Sequence, residues 1–286
     1  MDTPPSPGLS GVAGSAAAAR DIAIEAARAA GALLGRAAEA GGPARIDHKG
    51  SVDLVTELDV AAEAAIAEVL ARHTPDIPIL AEEGGGAVEA STRWIVDPLD
   101  GTTNFVHGIP HFAVSIALQE DGELVAGVVL DVMRRECWAA ARGGGATCNG
   151  RPVRVSGCRA LQQAVVATGF PYDRQQRAWE YLRFVEAVMR RVQGLRRCGA
   201  AALDLAWVAG GRLDGFWEPG LSPWDIAAGL LLVTEAGGTV SGVDGSPIGV
   251  SAPWLLATNG HLHPAMVETL APLLRSPLVA PQEKQA

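Results

Sequence analysis

The chain has 286 residues, 48% of them hydrophobic, which is enough apolar material for one large domain or two small ones. Its 32 acidic and 23 basic residues give a net charge of −9, which argues against nucleic acid or an anionic membrane as the main partner. This overall charge would also repel an anionic substrate, unless bound divalent cations reversed the field locally.

The chain shows no signal-peptide pattern, and no uninterrupted apolar run approaches the ~20 residues needed to span a bilayer. The four cysteines have no Cys-x-x-Cys spacing, so the sequence suggests neither a structural zinc site nor a disulfide framework. We therefore expect reduced thiols and a cytoplasmic protein without membrane contact. Residues 1–10 and 277–286 are expected to be frayed tails around a single domain over residues 11–276, because no long linker interrupts that range.

The first half of the chain predicts two helices, a short strand and an antiparallel meander. An Ala-rich stretch over residues 16–40, with spaced Ile and Leu, predicts a long helix, and residues 56–72 predict a second one. A short strand over residues 77–80 follows. In residues 112–155, runs of Val, Ile and Ala alternate with turn residues, which predicts an antiparallel meander.

The second half of the chain has a different pattern, in which strands alternate with helices. We predict strands at residues 165–167, 213–217 and 254–257, and helices at residues 177–192, 200–210, 223–236 and 264–274. An antiparallel first half and a βα-alternating second half imply a layered α/β (α+β) protein with helices between sheets.

The most informative stretch is residues 94–105, Trp-Ile-Val-Asp-Pro-Leu-Asp-Gly-Thr-Thr-Asn-Phe. Its apolar start predicts a buried strand, and the proline biases Asp97 toward extended backbone at the end of that strand. Asp100 follows across a tight turn, and Gly101 allows close approach of a ligand. The next three residues are N-cap types, so we expect a helix to begin there with free N–H groups.

Two carboxylates for hard cations beside a helix N-terminus for an anion indicate metal-assisted phosphate chemistry. Taken alone, Asp-Pro-x-Asp-Gly is explained equally well as an Asp-rich turn between a strand and a helix. The twelve residues together closely resemble the first signature of the inositol monophosphatase family, lithium-sensitive and magnesium-dependent sugar-phosphate phosphatases.

Two other stretches carry the same resemblance. Residues 222–229, Ser-Pro-Trp-Asp-Ile-Ala-Ala-Gly, followed by Glu-Ala-Gly-Gly at 235–238, resemble the second signature of the family. Residues 49–59, Lys-Gly-Ser-Val-Asp-Leu-Val-Thr-x-x-Asp, resemble its N-terminal segment. The resemblance therefore covers most of the chain, and it implies the five-layer αβαβα sandwich of the sugar phosphatases.

The resemblance implies a site that holds two or three Mg²⁺ ions. The implied ligands are Glu82, Asp97 and the main-chain carbonyl of Leu99 for one ion, and Asp97, Asp100 and Asp225 for a second. Oxygen-only ligands suit Mg²⁺. On local sequence alone, Ser-x-x-Asp225 is also a plain helix capping box, and Glu82-Glu83 is also a solvated acidic loop.

The resemblance also implies catalytic and substrate-binding roles. Thr102 and Asp59 would align the attacking water, and Glu82 would complete the catalytic set. The implied substrate contacts are Glu82, Leu99, Asp100, Gly101, Thr102, Ala201, Glu218 and Asp225, and Lys49 would lie in a mobile loop that borders the metals. On local sequence alone, capping explains Asp59, and a helix-start turn explains the region of Ala201 and Glu218.

The substrate is least determined by the sequence. Related phosphatases act on fructose 1,6-bisphosphate, histidinol phosphate or 3′-phosphoadenosine nucleotides, and the last two branches typically have Lys after Asp-Gly-Thr. Thr103 stands at that position here, which favours inositol 1-phosphate. A non-catalytic binding protein on this scaffold is the alternative from another class, and the intact set of acidic residues argues against it. We expect a homodimer with a small-molecule substrate.

Overall fold

The computed structural model describes residues 15–43, 46–48 and 54–275, and within them helices pack against a large sheet of eight strands and a small sheet of five. The helices are α1 (Ala16–Glu39), α2 (Glu57–His73), α3 (Thr102–Val106), α4 (Arg174–Met189), α5 (Ala201–Ala209), α6 (Pro223–Glu235) and α7 (His263–Arg275). A single 3₁₀ turn, Leu161–Gln163, is also found in this part of the chain.

The strands of the first half are β1 (Ile46–His48), β2 (Leu54–Thr56), β3 (Ile79–Ala81), β4 (Gly85–Gly86), β5 (Arg93–Asp100), β6 (Ala113–Glu120), β7 (Glu123–Asp131), β8 (Glu136–Ala141), β9 (Gly145–Cys148) and β10 (Arg151–Pro152). Eight of them form one sheet in the order β10-β9-β8-β7-β6-β5-β3-β4, antiparallel except where β3 runs parallel to β5. The predicted meander is confirmed by the consecutive antiparallel pairing of β6 through β10.

The strands of the second half are β11 (Val165–Thr168), β12 (Gly194–Arg196), β13 (Gly215–Pro219), β14 (Thr239–Ser241) and β15 (Trp254–Thr258). They form a five-stranded sheet in the order β12-β11-β13-β15-β14, in which β11 is parallel to both of its neighbours. The two outer strands and the separate β1–β2 hairpin were not predicted, because each is only three residues long.

Three apolar clusters hold the layers together. Helices α1 and α2 cover one face of the large sheet, and α5 and α6 lie between the two sheets. Helices α4 and α7 cover the outer face of the small sheet, where Phe184 and Leu270 pack with Trp217 of β13. The five-layer αβαβα sandwich implied by the resemblance is therefore confirmed, and the middle helical layer and the two sheets meet around the first signature.

All four cysteines are free thiols. None of the helices that the structure describes is long and apolar enough to cross a bilayer.

Candidate active site

A β-bulge in β5 brings Asp97 and Asp100 to the same face of the large sheet. Asp97 pairs with Ser115 and Asp100 pairs with Ala113, so β5 advances three residues while β6 advances two. Because Ser115 and Ala113 share a face, the extra residue near Pro98 places both carboxylates on that face. The strand thus continues through Asp100, and the expectation that Asp97 ends it was wrong.

Gly101 marks the change from strand to helix. Its φ of 92° lies in the left-handed region, and a Cβ there would lie 3.1 Å from the carbonyl oxygen of His111. Gly101 is also the N-cap of α3, so the prediction of a Thr or Asn cap was wrong. The first bond of the helix runs from Phe105 N–H to the Gly101 carbonyl at 3.0 Å, and the preceding N–H groups have no acceptor within the helix.

Asp97 is the most buried carboxylate among the predicted metal ligands, at 1% exposure. Burial raises its pKa well above the usual range, and the carboxylates of Glu82, Asp100 and Asp225 raise the pKa further. One carboxylate oxygen accepts the Leu99 N–H at 3.0 Å, which opposes this shift. Four acidic side chains that the sequence separates by up to 143 positions (82 to 225) therefore interact at one place.

Asp100 connects the large sheet to the middle helical layer. Its two carboxylate oxygens accept the N–H groups of Ala201 at 3.2 Å and of Ala202 at 2.8 Å, at the start of α5. Burial nevertheless raises the pKa of Asp100 from 3.8 to about 7, and Glu82 contributes to the rise. The helix start therefore fixes the orientation of this carboxylate, but the pKa of Asp100 stays above that of an exposed aspartate.

Asp225 lies in the first turn of α6, behind Pro223 at the first helical position. Its Oδ2 accepts the Ser222 N–H at 2.7 Å, which confirms the capping box predicted from Ser-x-x-Asp. Ser115 Oγ of β6 donates to the Trp224 carbonyl at 3.1 Å and fixes this helix start against the large sheet. The Asp225 carboxylate therefore both faces Asp97 and caps α6.

Asp59 and Thr102 form a hydrogen-bonded pair beside the acidic cluster. Asp59 Oδ2 accepts from both the N–H and the hydroxyl of Thr56, at 2.8 and 2.6 Å, in the capping box of α2. Asp59 Oδ1 lies 3.2 Å from the Thr102 hydroxyl, which is also 3.0 Å from the Leu99 carbonyl. The single hydroxyl hydrogen has two acceptors, so the lone pairs of Thr102 Oγ stay available to a third group.

Glu218 enters from the opposite side, near the end of β13. It is 9% exposed, and burial raises its pKa well above the usual range, although the Arg197 guanidinium lowers it. A Cβ at Gly169 would lie 2.0 Å from a carboxylate oxygen of Glu218. Glycine is therefore required at position 169 for Glu218 to occupy this place.

These groups surround one cavity of about 430 Å³. The predicted residues that line it are Glu82, Asp97, Leu99, Asp100, Gly101, Thr102, Ala201, Glu218 and Asp225. Asp59 lies behind Thr102 and contacts the cavity only through that hydroxyl. Lys49 lies outside the described residues, so its place near the site stays a prediction.

The model of the inositol monophosphatase family matches residues 17–276 of the chain. The chain belongs to this family. Among curated relatives, Nus factor SuhB of Pseudomonas aeruginosa is 47% identical over 260 residues, which cover 89% of this chain and 96% of the relative. Inositol-1-monophosphatase of Synechocystis sp. is 46% identical over 258 residues, which cover 88% of each.

Solved structures agree with this assignment. Extragenic suppressor protein suhB from Bartonella henselae is 42% identical with a TM-score of 0.83, over 88% of this chain and 98% of that one. A crystal structure of inositol monophosphate-bound SaIMPase-II is 30% identical with a TM-score of 0.74, over 89% of this chain and 94% of that one. The inositol monophosphatase resemblance stated from the sequence is thereby confirmed.

In this inositol monophosphatase-family chain, the cavity also contains residues that the sequence analysis did not identify. Among them are Phe170, Tyr172, Arg174, Arg197 and Asp204. The first three follow the carboxyl end of β11, which is where α/β sheets place ligand-binding residues. Their position directly after a predicted strand is the sequence signal that could have identified them. Arg197 lies with its guanidinium 5.7 Å from the ring centre of Phe170, and together with Arg174 it brings positive charge to a cavity that is otherwise acidic.

The donor set of the cavity fits a hard divalent cation. Asp97, Asp100, Glu82 and Asp225 offer only oxygen, and the mutual repulsion that raises the pKa of Asp97 is what a bound cation would relieve. The buried site is therefore unfavourable for the fully ionised carboxylates alone and favourable for the carboxylates with a cation.

Proposed function

We propose that the chain is a magnesium-dependent phosphomonoesterase that hydrolyses inositol 1-phosphate to inositol and phosphate. The observation that carries the proposal is the convergence of Glu82, Asp97, Asp100 and Asp225 on one cavity. A relative named inositol-1-monophosphatase at 46% identity and a neighbour with bound inositol monophosphate support the same substrate class.

The proposed ligands of Mg²⁺ are those that the family resemblance implies. Glu82, Asp97 and the carbonyl of Leu99 would hold one ion, and Asp97, Asp100 and Asp225 would hold another. When bound, Mg²⁺ lowers the pKa of a nearby water and neutralises charge that develops on the leaving oxygen. Asp97 is shared, so its substitution should affect both functions.

The Thr102–Asp59 pair is proposed to orient the attacking water. Thr102 Oγ can accept a hydrogen from the water while its own hydrogen is directed at Asp59 Oδ1 or at the Leu99 carbonyl. Burial raises the pKa of Asp59, despite the two donors from Thr56, so this carboxylate is a stronger base than an exposed aspartate. No covalent phospho-enzyme is required, because the water itself attacks phosphorus.

Substrate recognition is proposed to use both ends of the cavity. The main-chain N–H groups of Gly101 and Thr102, at the start of α3, would hold the phosphate. Asp100 and Glu218 would accept hydrogen bonds from ring hydroxyls, and Ala201 would contact the ring from the start of α5. Two acceptors that face one ring reward vicinal hydroxyls, so we expect histidinol phosphate, whose imidazole ring carries no hydroxyls, to be a poor substrate.

The test is a parallel measurement of kcat/KM on four substrates at saturating Mg²⁺: inositol 1-phosphate, fructose 1,6-bisphosphate, histidinol phosphate and 3′-phosphoadenosine 5′-phosphate. We expect inositol 1-phosphate to be preferred and all turnover to stop in chelator. A tenfold preference for either of the last two would contradict the proposed substrate but not the proposed phosphatase chemistry. A titration with lithium tests the inhibition that the family resemblance implies.

The name of the Pseudomonas relative, Nus factor SuhB, keeps a second possibility open. A protein of this fold can act as a non-catalytic binding partner, and the same measurements distinguish the two. Absence of hydrolysis on every sugar phosphate tested at saturating Mg²⁺ would favour binding alone. We further propose a homodimer located in the cytoplasm, and light scattering on the purified chain tests its oligomeric state.

A further inference from the structure

His111, Cys198 and Asp204 form a buried cluster beside the acidic cavity. His111 precedes β6, Cys198 follows β12, and Asp204 lies in the first turn of α5. One possible ligand atom from each residue lies within 4.8 Å of those of the other two. The cluster shares no residue with the proposed magnesium ligands, and we call it the His–Cys–Asp cluster.

Two atoms of the cluster are buried without a hydrogen-bond partner. Asp204 is 1% exposed and its Oδ1 is unpaired, and His111 is 6% exposed with Nε2 unpaired. A buried polar atom without a partner costs free energy, and for a carboxylate the cost is larger. Burial and the charge of Asp100 together raise the pKa of Asp204 well above its usual range. A bound cation would therefore be the missing partner of both atoms.

We propose that the His–Cys–Asp cluster binds one zinc-class divalent ion through His111 Nε2, Cys198 Sγ and Asp204 Oδ1. Imidazole nitrogen, thiolate sulfur and carboxylate oxygen are the ligands of zinc sites, whereas Mg²⁺ prefers oxygen alone. A thiolate and a carboxylate also balance the two positive charges of the ion. Three protein ligands leave a fourth position for water.

The protonation states of the cluster can be assigned from its neighbours. Burial, with a contribution from Arg134, lowers the pKa of His111 to about 4, so the ring is neutral. Burial and the neighbouring Asp204 carboxylate raise the pKa of the Cys198 thiol to about 11, so the thiol keeps its proton when no ion is bound. Binding replaces this thiol proton, which is released to solvent, and it places the proton of His111 on Nδ1.

Arg134 can adapt to that change. Its Nη1 lies 3.4 Å from His111 Nδ1, but it also donates to Asp131 at 2.8 Å and to the Pro110 carbonyl at 3.3 Å. These two acceptors remain when Nδ1 carries the proton. The guanidinium also lies 5.0 Å from the ring centre of Trp207, which packs edge-on against His111.

The location of the cluster connects it to the active-site wall. Asn104 Nδ2 of α3 donates to the carbonyls of His111 at 2.7 Å and of Cys198 at 3.0 Å, so one amide holds both segments. The chain then continues from Cys198 to the N–H groups that hold Asp100. An ion in the cluster would stabilise this connection from behind the cavity.

The test is a titration of the full chain with Co²⁺, a spectroscopic substitute for Zn²⁺, in excess Mg²⁺ to occupy the oxygen-only site. Only a cysteine ligand gives a thiolate-to-cobalt charge-transfer band, so acidic residues alone cannot mimic it. We expect one equivalent of Co²⁺ to saturate the band and one equivalent of Zn²⁺ to abolish it. Cys148→Ser is the matched control, because Cys148 is outside the cluster, and it should keep the band.

Two variants probe the ligands, with circular dichroism to verify folding. Cys198→Ser should lose the band, and Asp204→Asn, which keeps the shape of the side chain, should weaken Co²⁺ binding at least ~10-fold. The proposal is overturned if the parent chain shows no thiolate band, if Cys198→Ser keeps it, or if Asp204→Asn binds Co²⁺ as tightly as the parent. None of these measurements depends on phosphatase activity.

Discussion

The two walls of the cavity hold their charges differently. We call Glu82, Asp97, Asp100 and Asp225 the acidic wall, and Phe170, Tyr172, Arg197 and Glu218 the sugar-side wall. On the acidic wall, carboxylates raise the pKa of one another. On the sugar-side wall, burial and the carboxylates of Asp204, Asp225 and Asp100 also raise the pKa of Glu218, but the Arg197 guanidinium lowers it, and the remaining surface includes aromatic rings.

This difference separates two kinds of stabilisation. The acidic wall is a site where repulsion accumulates during folding and is relieved by a bound cation. The sugar-side wall contains a positive charge of its own, on Arg197, so we expect its substitution to leave metal binding unchanged. We therefore expect acidic-wall variants to alter activity and metal-dependent stability together, and sugar-side variants to alter substrate preference alone.

The largest expected effect is that of Asp97→Asn. Losing the carboxylate that is proposed to bridge both ions should lower kcat/KM by at least ~10³-fold, because water activation and leaving-group stabilisation are lost together. The rise in thermal midpoint on adding Mg²⁺ should disappear, while the metal-free chain becomes more stable because repulsion with Glu82 and Asp225 is removed. Activity assays and thermal unfolding with and without Mg²⁺ measure both.

The control for this change is Asp76→Asn, at an exposed position away from the cavity. It should match the parent in both measurements. Retained turnover in Asp97→Asn would contradict the proposed role of the acidic wall, and full activity in chelator would do the same.

Thr102→Ala is expected to reduce kcat by ~10²-fold with little change in KM. The hydroxyl is proposed to act on the water and not on the bound ester, so its loss belongs to the transition state. Thr103→Ala is a matched control at the next residue. Thr103 also lines the cavity, but it is exposed and makes no contact with Asp59 among the described hydrogen bonds, so its loss should leave kcat near that of the parent. A change confined to KM would instead make Thr102 a phosphate contact only.

The residues of the acidic wall were predicted from the sequence through the family resemblance, and local spacing predicted only how one of them, Asp225, is held. Ser222-x-x-Asp225 is a capping box both in the sequence and in the structure, and Thr56 with Asp59 is another. In each case the spacing of three residues places the carboxylate beside the helix start. The bulge in β5 was not predictable, since it depends on the pairing with β6.

Of the sugar-side wall, only Glu218 was predicted, through the family resemblance, and the His–Cys–Asp cluster was not predicted. His111 and Cys198 are brought together by two carbonyl contacts to Asn104, and neither residue has a local spacing that predicts the other. The position of the Glu218 side chain depends on glycine at position 169, which lies in a different strand connection. Short strands such as β12 and β14 likewise need their sheet neighbours, because three residues carry too little pattern.

Glu218→Gln tests the sugar-side wall with a smaller effect. Glutamine keeps the shape that fits beside Gly169 but loses the charge, so a hydrogen bond from a ring hydroxyl becomes weaker. We expect kcat/KM for inositol 1-phosphate to fall ~10-fold, about 1.4 kcal/mol, while an aryl phosphate without hydroxyls changes little. Glu186→Gln, on the exposed face of α4, is the control. Equal losses of kcat/KM on both substrates would show that Glu218 acts on the hydrolysis step and not on recognition of the ring.

The smallest expected effect is a pH dependence of the metal-free chain, and it tests whether burial of a carboxylate in the acidic wall destabilises that chain. The pKa of Asp100 rises from 3.8 to about 7 in the folded state, so the folded chain keeps a proton that the unfolded chain has lost. This contribution to stability is complete below pH 3.8 and is lost as the pH rises through about 7. The thermal midpoint without metal should therefore fall between about pH 5 and about pH 8, and fall less in Asp100→Asn.

Saturating Mg²⁺ at the higher pH should restore the midpoint in the parent, because the cation replaces the proton as the partner of the carboxylate. Equal slopes in the parent and in Asp100→Asn would show that burial of Asp100 is already compensated by the Ala201 and Ala202 N–H groups, and the contrast between the two walls would then rest on Asp97 alone.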